Sequence, residues 1–221
     1  MNNRKTKNFE RELPEGYEVV FHINAKNKKT GIILNAVALV IYVALTIAAI
    51  FAFGAVTDSS ERTFFGFYFG FVIGVLFAIA YIVIHELTHG LAYKILTGEK
   101  LTFGMSWSCA FCGVPNIYVY RKTLLIACLL PFVIYTVVFS VTLGVCLAIA
   151  AFCTVKSVFA LTIVYTAVCT VFALHLGGCA GDLFVAWLLL FKYKNGKILA
   201  RDTGPEQFIY SVKNQMKEES I

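Results

Sequence analysis

Four long and nearly uninterrupted apolar stretches constrain the fold of this chain more than any other feature. Hydrophobic residues make up 59% of its 221 residues, which is well above the share in ordinary soluble domains. A helix rises 1.5 Å per residue, so about 20 apolar residues cross the ~30 Å hydrocarbon core of a bilayer. The sequence therefore predicts an all-α integral membrane protein with four transmembrane helices, at about residues 31–54, 64–97, 123–152 and 157–191.

The positively charged residues predict how these helices are oriented, because Lys and Arg beside short spans are retained in the cytoplasm. They precede the first stretch, separate the second from the third and follow the fourth, whereas the opposite loops hold only Arg62 and Lys156. We therefore expect a multi-pass protein in which residues 1–30 and the tail, residues 192–221, are both cytoplasmic. This asymmetry also accounts for the net charge of +6, so the expected partner is the lipid bilayer and not a nucleic acid.

The loop between the second and third stretches has a different composition. Its segments "LTFGMSWSCAF" and "VPNIYVY" are rich in β-branched and aromatic residues, and the Cys-Gly pair between them is expected to form the turn. Such segments predict one short β-hairpin, at about residues 101–120. The same loop contains Cys109 and Cys112, a single CxxC pair without a second pair beside it, which is weak evidence for a metal or redox site.

The second apolar stretch contains the motif "HELTH", residues 85–89. Ionisable side chains are expensive in hydrocarbon, and those found there usually mark function. On a helix this spacing places His85 and His89 on one face, where they can bind one Zn²⁺, and Glu86 beside them can take a proton from water. The alternative is that the histidines are polar contacts between helices, but three ionisable groups within five residues favour the metal site.

A catalytic zinc normally has a third protein ligand, and the depth of each candidate in the membrane favours Asp182. His85 and His89 lie about 18 and 12 Å from the cytoplasmic end of their span, and Asp182 lies about 14 Å from the end of the fourth. The remaining candidates are Glu99, Glu206 and His175.

His175 precedes Asp182 by seven residues in the segment "HLGGCAGD". A regular helix would place it ~10 Å deeper than Asp182, although the glycines are expected to kink or unwind the helix there. We give His175 the role of orienting the substrate, with third ligand as its second possibility. A histidine that only packs between helices is the alternative.

The chain resembles the DUF3267 family of small bacterial four-span zincin peptidases, and more distantly the site-2-type intramembrane zinc metalloproteases. The resemblance rests on "LPEGY", "HELTHG", "GCAGD" and "RDTGP". It implies a bacterial-type cell membrane, zinc held by His85, His89 and Asp182, and Glu86 as the base. Site-2 proteases carry their aspartate in Leu-Asp-Gly after an Asn-x-x-Pro element, which is missing here, so the role of His175 follows from analogy of position.

These observations predict a zinc metalloprotease that cleaves membrane or membrane-proximal peptide bonds near the cytoplasmic face. The hairpin at about residues 101–120 is expected to bind the substrate as an added strand. The alternative is a non-hydrolytic membrane protein that binds or senses a divalent metal through the same cluster. The sequence does not specify the substrate, the pathway or the oligomeric state.

Overall fold

The computed structural model describes residues 8–57, 64–107, 109–152, 158–194 and 197–212. Over these ranges, four helical segments are long and apolar enough to cross a membrane. They are α1 (Lys28–Val56), α2 (Phe64–Thr97), α3 (Arg121–Phe152) and a fourth segment over Val158–Lys192. The four predicted spans are confirmed to within a few residues. Arg62, Lys156 and residue 157 lie outside the described residues, and the orientation of the helices stays a prediction.

The ends of two helices follow directly from local sequence. Asn27 precedes α1, and its side-chain oxygen accepts hydrogen bonds from the backbone N–H groups of Lys29 and Thr30, at 2.9 and 3.4 Å. This arrangement is an N-cap. At the other end of α2, Gly98 has a φ of 71°, and its N–H donates to the carbonyl of Lys94 at 2.9 Å. A glycine in this left-handed conformation commonly ends a helix.

The fourth segment is interrupted in its glycine-rich stretch, as the sequence predicts. α4 covers Val158–Gly178 and α5 covers Ala180–Trp187, with the turn residue Cys179 between them. A π-helical stretch, Leu188–Lys192, follows α5. The break places Asp182 in the first turn of α5, where the positive end of the helix dipole favours a carboxylate.

The fold is mostly helical, as predicted, but the prediction that one short hairpin is its only β structure is wrong, because the chain also forms a five-stranded antiparallel sheet. Its strands lie in the order β1-β5-β6-β7-β2. They are β1 (Phe9–Glu10), β2 (Tyr17–Asn24), β5 (Tyr118–Tyr120), β6 (Ile198–Asp202) and β7 (Glu206–Val212). The longest pairing joins β2 to β7 across most of the chain, and short-range patterns carry no signal for such a contact.

A second sheet of two strands contains the hairpin that the sequence predicts, but with a different turn. β3 (Thr102–Met105) pairs with β4 (Ala110–Gly113), and the N–H of Ser106 donates to the carbonyl of Cys109 at 2.8 Å. The predicted Cys-Gly turn is wrong, since Cys112 and Gly113 lie inside β4. The "YVY" segment belongs to β5, which obtains two neighbouring strands in the larger sheet.

The described residues fall into two compact units. The first contains those within Met1–Ile33, His85–Pro131 and Gly181–Ile221, and the second contains Leu34–Ile84 and Phe132–Ala180. The core of the first unit brings side chains from α2, α3 and α5 together with β4, β5, β6 and β7. Among its described residues the second unit contains helices and no strands. One of its cores surrounds Phe53 and Tyr165, whose rings stack with centroids 4.6 Å apart.

Two glycines allow close packing of α2 against α4 inside the second unit. Gly70 and Gly74 form a GxxxG motif, which lets membrane helices approach closely. A Cβ atom at Gly74 would lie 2.7 Å from the Cβ of Thr170 and 2.9 Å from the carbonyl oxygen of Ala167. A Cβ atom at Gly70 would be equally close to the backbone of Ile163. Any larger side chain would therefore separate the two backbones.

We expect the substitution Gly74→Val to destabilise the protein by about 1–3 kcal/mol, as overpacking does in well-packed cores. Thermal unfolding in detergent measures the effect. Gly144→Val is the matched control, because a Cβ atom at Gly144 in α3 would have no neighbour within 4 Å. Equal unfolding temperatures for the two variants would contradict this account of the packing.

Candidate metal centre

The two motif histidines lie on one face of α2, as their spacing requires. The Nε2 atoms of His85 and His89 are 3.1 Å apart. Their rings are nearly perpendicular, at 79°, with centroids separated by 4.8 Å. Both imidazoles therefore direct the same ring nitrogen towards one point.

Asp182 completes this arrangement from α5. Its Oδ2 atom lies 3.5 Å from Nε2 of His85 and 3.3 Å from Nε2 of His89. The side chains are largely buried, with 12%, 10% and 20% of their surfaces exposed for His85, His89 and Asp182. The structure thus brings together the three residues that the sequence predicts as metal ligands.

The spacing of these three atoms fits a zinc ion. Zinc–nitrogen and zinc–oxygen bonds of about 2.0–2.1 Å in tetrahedral geometry place neighbouring ligand atoms roughly 3.3–3.4 Å apart. The three separations here are 3.1, 3.3 and 3.5 Å. Two imidazoles with one carboxylate also form a donor set that suits zinc. Three protein ligands leave a fourth position for water or substrate, as catalytic zinc sites require.

A hydrogen bond fixes the orientation of the His89 ring. Its Nδ1 atom lies 2.9 Å from the carbonyl oxygen of Ala127 in α3. A carbonyl oxygen accepts but cannot donate, so Nδ1 carries a proton, and Nε2 is the ring nitrogen that faces His85 and Asp182. Metal-binding histidines commonly have such a partner for the second ring nitrogen, which selects the tautomer that binds.

Glu86 lies beside the three candidate ligands, with electrostatic interactions to His85, His89 and Asp182. The backbone N–H of Cys112 in β4 donates a hydrogen bond to its carboxylate. Glu86 therefore accepts a hydrogen bond from the hairpin and interacts electrostatically with the candidate ligands. This position is suitable for a base that acts on a water molecule near the metal.

Asp202 in β6 is a buried residue near this centre that the sequence analysis missed. Its Oδ2 atom accepts a hydrogen bond from the hydroxyl of Tyr93 at 2.5 Å, and its Oδ1 atom accepts one from the N–H of Gly204 at 2.8 Å. Tyr93 follows His89 by one helical turn. The only sequence signal for it is the "RDTGP" segment, which carries part of the family resemblance but no metal-binding motif. Asp202 thus ties the end of the motif helix to the larger sheet.

Burial also shifts the pKa values of groups on the strands beside the site. It raises the pKa of the Asp202 carboxyl to about 6, against the opposite effect of the hydrogen bonds from Tyr93 and Gly204. Burial raises the pKa of the Cys112 thiol to about 12, with added contributions from Asp202 and Glu86. The Cys112 thiol therefore stays protonated at neutral pH in the absence of a metal ion.

The other acidic candidates pair with basic side chains. Glu99 accepts a hydrogen bond from Arg11 at 2.7 Å, and Glu206 lies 3.1 Å from Nε2 of His22. Neither residue belongs to the His85, His89 and Asp182 group of candidate ligands.

His175 lies in α4 within the second unit and is 1% exposed. Its Nδ1 atom is 2.5 Å from the hydroxyl of Tyr81 and 3.4 Å from the thiol of Cys179, and its Nε2 atom is 3.1 Å from the hydroxyl of Thr136. Aromatic rings surround it, including that of Phe139. Within this unit His175 links α2, α3 and α4, and its role in orienting a substrate stays a prediction.

Comparison with known proteins identifies one matching family. The family DUF3267, whose description reads "Putative zincin peptidase", matches residues 78–196, which is more than half of the chain. The matched region includes the HELTH motif, the hairpin and Asp182 but ends before Asp202. No curated protein and no solved structure matches the chain.

Proposed function

The chain belongs to the DUF3267 family, and we propose that it is a membrane-embedded zinc metallopeptidase. Its substrates would be membrane or membrane-proximal proteins, cleaved near the cytoplasmic face. The observation that carries the proposal is the triangle formed by His85 Nε2, His89 Nε2 and Asp182 Oδ2, with Glu86 beside it. A helix-packing role for the two histidines does not explain why a carboxylate from another helix lies at ligand spacing from both.

In this proposal His85, His89 and Asp182 hold the zinc ion, and Glu86 is the general base. Bound zinc would polarise the scissile carbonyl and make a nearby water molecule more acidic. Glu86 would take the proton from this water and later deliver it to the leaving amine. The N–H of Cys112 would hold the Glu86 carboxylate in position between the hairpin and the candidate ligands.

The hairpin supports a binding mode in which the substrate adds as a strand to the outer edge of β4. Because Ser106 N–H bonds to Cys109 across the turn, alternation along the ladder points the N–H groups of Ala110 and Cys112 away from β3. The Cys112 N–H meets the Glu86 carboxylate. An extended substrate on this edge would therefore run beside the proposed base. Its peptide bonds would be accessible, whereas in a helix the backbone groups are engaged in internal hydrogen bonds.

Two proline substitutions test which edge of the hairpin binds the substrate. Met105 and Ala110 are paired across the hairpin, so their N–H groups point to opposite edges and neither takes part in the β3–β4 ladder. We expect Ala110→Pro to lower kcat/KM by about 3–10-fold, the value of one lost hydrogen bond, and Met105→Pro to leave it unchanged. If Met105→Pro lowered kcat/KM and Ala110→Pro did not, the substrate would bind at the outer edge of β3 instead.

The proposed cytoplasmic location follows from the distribution of lysine and arginine residues. Accessibility of cysteines introduced at residues 28 and 192 to a membrane-impermeant thiol reagent measures the orientation. We expect no labelling in intact cells and labelling after the membrane is permeabilised, because both positions would face the cytoplasm.

Metal analysis and peptide cleavage by the purified protein test the proposed function. In lipid nanodiscs we expect stoichiometric zinc and cleavage of a library of membrane-spanning peptides. Chelation should remove both, and added zinc should restore them. A wild-type protein that takes up no zinc contradicts the proposal. Bound zinc without cleavage of any peptide would instead favour the non-hydrolytic metal-binding or metal-sensing protein.

A further inference from the structure

A buried proline inside α3 changes the hydrogen bonding beside the candidate ligands. Pro131 lies in the interior of this helix. Proline has no backbone N–H, so it cannot donate to the carbonyl of the residue four positions earlier. In α3 that residue is Ala127. The helix therefore leaves the Ala127 carbonyl without its usual backbone donor.

The Ala127 carbonyl nevertheless has a partner, and that partner is His89. Ala127 is fully buried, where a carbonyl without a donor would be costly. The Nδ1 atom of His89 lies 2.9 Å from this oxygen. The carbonyl released by Pro131 is thus the same atom that orients one of the proposed zinc ligands.

We propose that Pro131 is a positioning residue for His89. Because proline has no N–H, the Ala127 carbonyl stays available to the imidazole, and this hydrogen bond orients the ring so that Nε2 faces His85 and Asp182. This proposal rests on the proposed zinc function. A proline at position 130 or 132 would also bend α3, but it would release the carbonyl of Ile126 or Cys128 instead. Only a proline at position 131 releases the carbonyl that contacts His89.

The variants Pro131→Ala and Pro131→Gly test this inference together. Both restore an N–H that competes with His89 for the Ala127 carbonyl, but alanine and glycine differ strongly in helix propensity. We expect zinc affinity to fall about 10-fold in both variants, the lower end of the range for an outer-shell partner. Without zinc, the melting temperature of Pro131→Ala should equal or exceed that of the wild type, and that of Pro131→Gly should be lower than that of Pro131→Ala. Val133→Ala, at an exposed position of α3, is the control and should retain wild-type affinity.

Nitrogen NMR of histidine-labelled, zinc-free protein provides a readout that does not depend on metal or activity. The chain has only four histidines, so His89 can be assigned by substitution. We expect the His89 Nδ1–H proton to be hydrogen-bonded and protected from solvent exchange in the wild type, because it donates to the Ala127 carbonyl. This protection should be lost in Pro131→Ala and Pro131→Gly. An unchanged Nδ1–H signal together with unchanged zinc affinity in both variants would overturn the proposal.

The outcomes separate this inference from the proposed function. A loss of affinity that follows melting temperature, small for alanine and large for glycine, would assign Pro131 to helix stability alone and overturn the inference. A wild-type protein that binds no zinc would instead contradict the proposed function. The measurement of the His89 Nδ1–H proton would still decide whether Pro131 controls the orientation of the His89 ring.

Discussion

The substitution Glu86→Gln is expected to abolish peptide cleavage while bound zinc remains. Glutamine has almost the same shape and can still accept the hydrogen bond from the Cys112 N–H, but it cannot take a proton from water. A general base contributes about 10²–10⁴-fold to the rate, so kcat should fall by at least that factor. His85, His89 and Asp182 are untouched, and zinc content measured by mass spectrometry should equal that of the wild type.

Glu99→Gln is the matched control for this experiment. Glu99 follows the end of the same helix and pairs with Arg11, so its replacement should leave both cleavage and zinc content close to wild-type values. A fully active Glu86→Gln protein would rule out Glu86 as the base. Loss of zinc from Glu86→Gln would show that Glu86 acts as a ligand.

The substitution Asp182→Asn is expected to remove zinc and cleavage together. The neutral amide is a much weaker ligand than the carboxylate, and the two imidazoles alone leave the ion with only two protein ligands. Loss of a residue that supports a ligand typically costs 10–100-fold in metal affinity, so loss of the ligand itself should cost at least about 100-fold. Competition with a zinc chelator of known affinity measures the change.

The chain provides a second buried aspartate as the control for Asp182. Asp202 is also buried and hydrogen-bonded, but it contacts Tyr93 and Gly204. Asp202→Asn keeps an oxygen that can accept the Tyr93 hydroxyl, and we expect its zinc content to remain close to that of the wild type. If the two variants lost zinc equally, Asp182 would have no special place in the metal centre.

The sequence predicted the parts of the fold that depend on local patterns. Apolar runs of more than 20 residues gave the four helices, and the glycines near Asp182 indicated the break that now separates α4 from α5. The five-stranded sheet was missed because its strands are short and pair with distant partners. Val19, for example, pairs with Tyr210, and no window of sequence contains both.

In the candidate site, too, the sequence predicted the residues that belong to a local pattern and missed those whose role depends on distant neighbours. His85, Glu86 and His89 form a recognisable motif, and Asp182 was predicted from its depth in the fourth apolar stretch. Asp202 was missed because an aspartate in a turn-like segment has many ordinary explanations. Pro131 was missed because its effect depends on which side chain lies beside the released carbonyl. Both contributions depend on three-dimensional neighbours that residue type alone does not specify.

The pairing of β2 with β7 has a consequence for protein synthesis. β7 is made after all four membrane helices, so the five-stranded sheet can close only when Glu206–Val212 has left the ribosome. The HELTH helix enters the membrane much earlier, before Asp202 exists to bind Tyr93. A nascent chain therefore carries the histidines without the strand that secures their helix, and we expect the finished centre to form only after β6 and β7 have been made.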